Sequence, residues 1–259
     1  MIATQTQDKW VIYPRENPLA DIRLFCFPHA GGGASAYYLW LSALPSFVEL
    51  CPIQLPGREN RIREPLFTGL PPLVNALAQA LSPHLDKPFV FFGHSMGAKL
   101  AFELTRRLRR AGGPAPLRLF VSGHGAPHIQ STEPPIHTLP DAEFIREVQR
   151  YEGMPQEILE NEELMRYLLP ILRADFTINE TYVYTEEPQL SCPITAYGGL
   201  QDEGAPPADI EAWRKQTTGG FEFQMFPGGH FFLQTKRQPV LRELSHQLYW
   251  LKEKLLRGL

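Results

Sequence analysis

The sequence predicts an α/β fold in which helices cover a mostly parallel sheet, and three observations carry that prediction. Short apolar runs alternate with amphipathic ones along the chain. The short runs are apolar on both faces, as strands buried in a parallel sheet must be. The alternation breaks only once, over residues 125–187. A length of 259 residues suits one well-buried domain, so residues 1–259 read as a single unit carrying an insertion.

Taken in order, residues 23–27 (RLFCF) form the first strand and 36–44 a helix. Residues 49–54 form the second strand, and 73–85 a helix. Residues 89–93 form the third strand, followed closely by a helix over 98–110, and 117–122 the fourth strand. The insertion has helical patterning. LPDAEFIREVQRYEG opens on Pro140 and Asp141, an N-terminal signal, and NEELMRYLLPILRADF follows. It is too apolar to be disordered and reads as a helical lid, with Gly153, Met154 and Pro155 as a break between its helices. Residues 194–198 and 222–226 complete the strands. Helices over 209–216, with Asp209 as its N-cap, and 239–256 complete the chain.

Composition excludes several function classes. A net charge of −3 with 20% charged residues offers no basic excess for nucleic acid. No apolar run approaches the ~20 residues that span a bilayer, and MIATQTQDKW has neither the basic nor the apolar region of a signal peptide. Cys26, Cys51 and Cys192 lie in or beside apolar runs without CxxC spacing, as reduced core residues of a cytoplasmic protein would. No His, Cys and carboxylate cluster has metal-ligand spacing, so neither a metal nor a cofactor is expected.

The chemistry centres on VFFGHSMGAKLAFEL. Gly93-His94-Ser95-Met96-Gly97 fits G-x-S-x-G between a strand and a helix. That turn is so tight that a β-carbon at either glycine would meet backbone, and the serine projects Oγ from the sheet's edge. Composition gives a chance match anywhere in the chain a probability of roughly 0.05, before the flanking strand and helix are required.

A serine nucleophile needs a base and an orienting acid, in the order serine, acid, histidine for this arrangement. Of the histidines beyond the insertion, His246 sits in helical periodicity, while His230 follows the last strand on a loop opened by Pro227-Gly228-Gly229. The acid should leave the preceding strand, and ITAYGGLQDEG offers Asp202, with Glu203 as the fallback. Asp175 lies in the insertion, away from the sheet edge. Ser95, Asp202 and His230 thus form a candidate acyl-transfer triad.

A tetrahedral oxyanion also needs two backbone donors: the N–H of Met96 and one from a loop after an early strand. LFCFPHAGGGASAYY supplies that loop, with Ala30 as the candidate donor. A rival reading takes Gly31, Gly33 and Ala36 as a dinucleotide fingerprint. Against it, Pro28-His29-Ala30 occupies the tight turn, and the second strand ends without a carboxylate for a ribose.

LFCFPHAGGGAS, LPGRENRIREP, GHSMGA, LPDAEF, LRADFTINETY, the run from Gly198 to Trp213 and FPGGHFFL together resemble the type II thioesterases of nonribosomal peptide and polyketide synthesis, over residues 24–233 and weakly beyond. The resemblance implies an α/β-hydrolase fold and a stand-alone editing enzyme of antibiotic-type biosynthesis. Such an enzyme removes wrong or stalled acyl groups from the phosphopantetheine arm of acyl or peptidyl carrier proteins, and a monomer is expected. It places the triad on Ser95, Asp202 and His230 and the oxyanion loop on residues 27–33. In GGLQDEGAPP the hydrophobic residue that often follows the acid is missing.

Other residues have structural readings. Arg58 is expected to orient a loop by ion pairing, His29 to lend its backbone, and His94 to pack away from Ser95. Arg106, Arg107, Arg109 and Arg110 end a helix, where cations suit the dipole, and could alternatively meet an acidic carrier. The apolar positions Leu159, Leu164, Met165, Leu168, Leu169, Ile171 and Leu172 exceed what one helix face needs, and Met165 and Leu168 are the candidates for an acyl pocket. Two alternatives remain open. A chain-terminating fatty-acyl thioesterase or carboxylesterase would use the same triad. An inactive binding module would lack a triad member, and none is missing.

Overall fold

The computed structural model describes residues 9–129, 133–150 and 160–258. Six strands, β1 (Ile22–Phe27), β2 (Val48–Pro52), β3 (Phe89–His94), β4 (Leu119–Ser122), β5 (Ile194–Gly199) and β6 (Phe221–Phe226), form one sheet. Every pairing is parallel, in the spatial order β2-β1-β3-β4-β5-β6. Seven α-helices are described: α1 (Leu70–Leu81), α2 (Met96–Arg110), α3 (Asp141–Gln149), α4 (Glu162–Glu180), α5 (Pro207–Glu211), α6 (Phe232–Thr235) and α7 (Arg237–Leu256). None of the described helices is long and apolar enough to cross a membrane.

The predicted fold class holds because β1 to β5 bury both faces, whereas β6, at the sheet's edge, leaves Glu222, Phe223 and Gln224 exposed. Phe25, Phe27 and Phe91 enter one apolar layer with Leu73 and Leu77 of α1 and Leu100 and Leu104 of α2. Their neighbours Leu24, Cys26, Val90 and Phe92 enter the opposite layer with Tyr37, Trp40 and Leu244 and Leu248 of α7. Truncating a ring buried as completely as Phe92 to alanine costs about 3–5 kcal/mol.

Helix boundaries shift by a few residues from the sequence reading, and three of the differences have a local reason. The first predicted helix is a 3₁₀ helix, Ala34–Trp40. Its buried residues, Ala34, Tyr37 and Trp40, recur every third position, which suits three residues per turn. Helix α1 starts at Leu70 rather than 73, because Pro71 and Pro72 occupy the first turn, where a missing N–H costs nothing. Asp209 is not the N-cap of its helix. Helix α5 begins at Pro207 after Pro206, and Asp209 lies in its first turn, where its carboxylate still suits the dipole.

Among the described residues, the interruption between β4 and β5 carries two helices, α3 and α4. Phe144 and Val148 of α3 pack with Leu172 of α4, and Leu168, Leu169 and Phe176 border them. Asn161 caps α4, its side chain accepting from the N–H groups of Glu163 and Leu164 at 3.1 Å each. Pro170 interrupts the hydrogen-bond ladder inside the helix. At the far end Glu180 accepts from the amides of Ile136 (3.1 Å) and His137 (2.9 Å), and Lys99 donates to the carbonyl of Asn179 at 2.8 Å. Leu159 and the expected break at Gly153, Met154 and Pro155 lie outside the described residues.

Candidate active site

The β3–α2 turn holds Ser95 at φ 55°, ψ −119°, in left-handed territory that a residue with a β-carbon rarely adopts. The N–H of Ser95 donates to the carbonyl of Ser122 at 2.8 Å, tying the turn to β4. A β-carbon on Gly93 would lie 2.0 Å from the carbonyl oxygen of Gly97, and one on Gly97 2.1 Å from that of Phe27. Both glycines are therefore required by space, as the motif implied.

His230, on the loop after β6, brings Nε2 to 3.0 Å from Ser95 Oγ and Nδ1 to 2.8 Å from Asp202 Oδ2. Asp202 is buried after β5, and its Oδ1 accepts the N–H of Gly204 at 3.1 Å. With Nδ1–H donating to Asp202, the Nε2 lone pair faces the serine hydroxyl. Glu203 is exposed and His246 is exposed on α7, so the structure brings together the three residues singled out in the sequence and neither alternative.

Contacts that the sequence did not reveal hold the two loops together. The N–H of Leu200 donates to the carbonyl of Phe226 at 2.8 Å, and that of Gln201 to Gly228 at 3.0 Å. A β-carbon on Gly199 would stand 2.5 Å from the carbonyl oxygen of Gly229, so the loops carrying Asp202 and His230 touch backbone to backbone. Phe231 stands edge-on to both His29 and His230, at ring separations of 4.9 and 5.2 Å.

Burial keeps the neighbouring histidines neutral. It lowers His29 to about 4, helped by the charges of His230 and Arg58. His94 is pushed well below its ordinary value, again by burial first, while its Nδ1 stands 3.1 Å from Ser122 Oγ. His94 thus packs beside the nucleophile as expected. Neither ring adds positive charge beside the His230 imidazole.

On the loop after β1, the Gly32 amide donates to the His29 carbonyl at 3.0 Å and the Gly31 amide to Asp175 Oδ2 at 2.7 Å. Among the described residues, the Ala30 N–H has no protein acceptor. Met96 opens α2, so its N–H has no intrahelical acceptor. The Phe27 carbonyl packed on Gly97 brings the loop carrying Ala30 against the turn carrying Met96. Arg58 pairs as expected, but with a partner that the sequence reading set aside. Its Nη1 and Nη2 reach Asp175 Oδ2 and Oδ1 at 2.6 and 2.8 Å, and Nη1 also donates to the Gly32 carbonyl at 3.0 Å.

A cavity of about 300 Å³ lies between this loop, Arg58, Glu59 and α4, where Tyr167, Leu168 and Ile171 line it. Met165 is buried on the same helix and is not among the lining residues. The arginines ending α2 engage the chain itself. Arg106, Arg109 and Arg110 converge on Glu187 at 2.8, 2.7 and 2.5 Å, and Arg107 donates to Asn75 at 2.8 Å.

The thioesterase-domain profile matches residues 22–248. The chain is 47% identical to the linear gramicidin dehydrogenase LgrE of Brevibacillus parabrevis, over 93% of this chain and 92% of that protein. It is 44% identical to the gramicidin S biosynthesis protein GrsT of Aneurinibacillus migulanus, over 93% of this chain and 94% of that one. Among solved structures, BorB, a type II thioesterase of the borrelidin biosynthetic cluster, superposes with a TM-score of 0.85 at 38% identity, covering 93% of this chain and 98% of BorB. The name of LgrE speaks of redox chemistry, but the glycine loop here does not build a dinucleotide site. It leads into a 3₁₀ helix, and where β2 ends, Gln54 accepts the Ala34 N–H at 2.8 Å in place of a ribose-binding carboxylate. On profile, sequence and architecture together, the chain belongs to the thioesterase family of the α/β-hydrolase fold and is a thioester hydrolase.

Proposed function

We propose that this thioesterase clears wrong or stalled acyl and aminoacyl groups from the phosphopantetheine arm of carrier proteins in nonribosomal peptide or polyketide synthesis, acting as a separate chain. The observation that supports this most directly is the hydrogen-bonded line Asp202–His230–Ser95 at a strained strand-to-helix turn. Ser95 Oγ attacks the thioester carbonyl as His230 Nε2 takes its proton, and Asp202 holds the imidazole and stabilises its cation. The N–H groups of Ala30 and Met96 receive the oxyanion. His230 returns the proton to the departing pantetheine thiol, then draws one from the water that hydrolyses the acyl-enzyme.

The 125–187 insertion serves as a cover over the acyl group, with Leu168 and Met165 of α4 contributing to that pocket. Leu168 faces the cavity beside the glycine loop, and Met165 is buried a turn before it. The arginines of α2 are poor candidates for carrier docking, since Glu187 already occupies three of them.

The test is hydrolysis of a panel of acetyl-, aminoacyl- and long-chain acyl-carrier thioesters beside the matching free esters. Preference for short acyl and aminoacyl carriers supports editing. Preference for long-chain substrates, or for free esters, would instead assign chain termination or esterase activity.

A further inference from the structure

We propose that Asp175, on the insertion's helix α4, is a positioning residue for the oxyanion-donor loop. The inference rests on the reading of Ala30 as an oxyanion donor. Residues 31–33 are all glycine, and Gly31 sits at φ +77°. Such a loop has more backbone freedom than a preorganised hole can tolerate, because glycine populates both signs of φ. Something outside the loop must fix the peptides that flank the Gly31–Gly32 pair.

Asp175 does so twice. Its Oδ2 accepts the Gly31 N–H at 2.7 Å, and its bidentate partner Arg58 donates to the Gly32 carbonyl at 3.0 Å. The two clamps hold the Ala30–Gly31 and Gly32–Gly33 peptides, one at each end of the Gly31–Gly32 link. One turn earlier on α4, Leu172 closes the remaining space, since a β-carbon on Gly31 would lie 2.6 Å from its Cδ2. Asp175 is fully buried and Arg58 nearly so. A bare carboxylate beside the hole would repel the charge that develops there, whereas the bidentate pair is neutral overall. Arg58 therefore screens the very group that it helps to hold.

The arrangement also divides the insertion in function. The segment of α4 beyond Pro170, with Asp175, is part of the oxyanion machinery and cannot swing away without releasing the loop.

The experiment compares wild type, Asp175→Asn, Arg58→Met and the double variant Arg58→Met/Asp175→Leu, which removes both buried charges at once. Three quantities are read on folded protein: kcat and KM for an acetyl-carrier thioester, affinity for a thioether analogue, and affinity for a trifluoromethyl-ketone pantetheine whose adduct with Ser95 places an oxyanion in the hole. We expect Asp175→Asn to lower kcat about 100-fold, near the loss caused by deleting one oxyanion donor. KM and thioether affinity should stay within about threefold, and ketone affinity should fall in parallel with kcat. Arg58→Met, which leaves the carboxylate unscreened, should be at least as damaging. If Asp175→Asn does not fold, the double variant is judged by the same criteria. Retention of kcat and ketone affinity within about twofold would overturn the proposal. So would an equal loss of thioether and ketone affinity, which marks general structural damage. Failure of the wild type to form the Ser95 adduct would instead refute the underlying active-site reading.

Discussion

The carbonyl of Phe27 lies so close to the α-carbon of Gly97 that a β-carbon there would almost overlap its oxygen, at 2.1 Å. Two separate parts of the site, the loop after β1 and the turn after β3, are in register through that contact. Gly97→Ala must push them apart. We predict at least a 100-fold loss of kcat, since displacements of about 1 Å at a reacting centre have that effect, and a lower melting temperature. Thioester hydrolysis and calorimetry check both, and wild-type-like activity would contradict the assigned contact.

Ser95 combines the proposed nucleophile with the backbone strain. Ser95→Ala should fold and lose about 10³-fold or more in kcat. A serine-directed phosphonate should label the wild type once and this variant not at all. Ser95→Gly should be equally inactive yet more stable by about 1 kcal/mol, because glycine relieves a strain of roughly 1–3 kcal/mol at φ 55° and loses part of that gain to unfolded-state entropy. Urea unfolding measures the difference, and a destabilised Ser95→Gly would show that the turn is not strained.

Asp202→Asn should depress kcat by about 10⁴-fold through the wrong imidazole tautomer, while Glu203→Gln and Asp209→Asn stay within about twofold of wild type. Steady-state kinetics of the three variants decides between them. A damaging Glu203→Gln would move the acid by one residue.

Acid should weaken the fold through its partly buried histidines. Burial lowers His29 to about 4 and His124 to about 3, from an ordinary 6.5. Below 6.5 the unfolded chain binds protons that the folded chain refuses, so stability is full above 6.5 and declines as pH falls towards 4. Each group contributes up to about 1.4 kcal/mol per pH unit in that window. Denaturant unfolding between about pH 4 and 7 should show this slope, and His29→Gln should flatten it. An unchanged slope would mean that His29 is not held neutral.

The described cavity makes Leu168 the position to enlarge. Leu168→Trp should lower activity towards medium-chain acyl carriers about tenfold or more relative to acetyl carriers, as lost pocket volume requires. Met165→Trp should act in the same direction but less selectively, because that side chain is buried in packing. Unaltered chain-length preference in both variants would remove α4 from the acyl pocket.

Much of this was legible in the sequence because local rules and long-range needs coincide there. Strands apolar on both faces declare a parallel sheet, and G-x-S-x-G declares its turn through steric exclusion at Gly93 and Gly97. The sequence could bring Ser95, Asp202 and His230 together as candidates because each follows a recognisable strand, even though Ser95 and His230 lie 135 residues apart. Asp175 was not, because a carboxylate within an amphipathic helix looks like any solvated charge. Only the approach of Arg58, 117 positions away in the chain, gives it a partner. The Gln201–Gly228 tie was hidden for the same reason, since a backbone contact between two loops leaves no side-chain pattern.

The strand order has one more consequence. β1 and β3 are neighbours, yet the chain leaves them in opposite directions: the 3₁₀ helix after β1 joins the layer with α7, and α2 after β3 joins the layer with α1. Where adjacent strands send their continuations to opposite sides, a crevice opens at their carboxyl ends. That opening belongs to the path of the chain and to no single side chain. A protein disarmed at Ser95 would therefore keep its groove, and could serve as bait to hold a loaded carrier long enough for the natural partner to be caught and named.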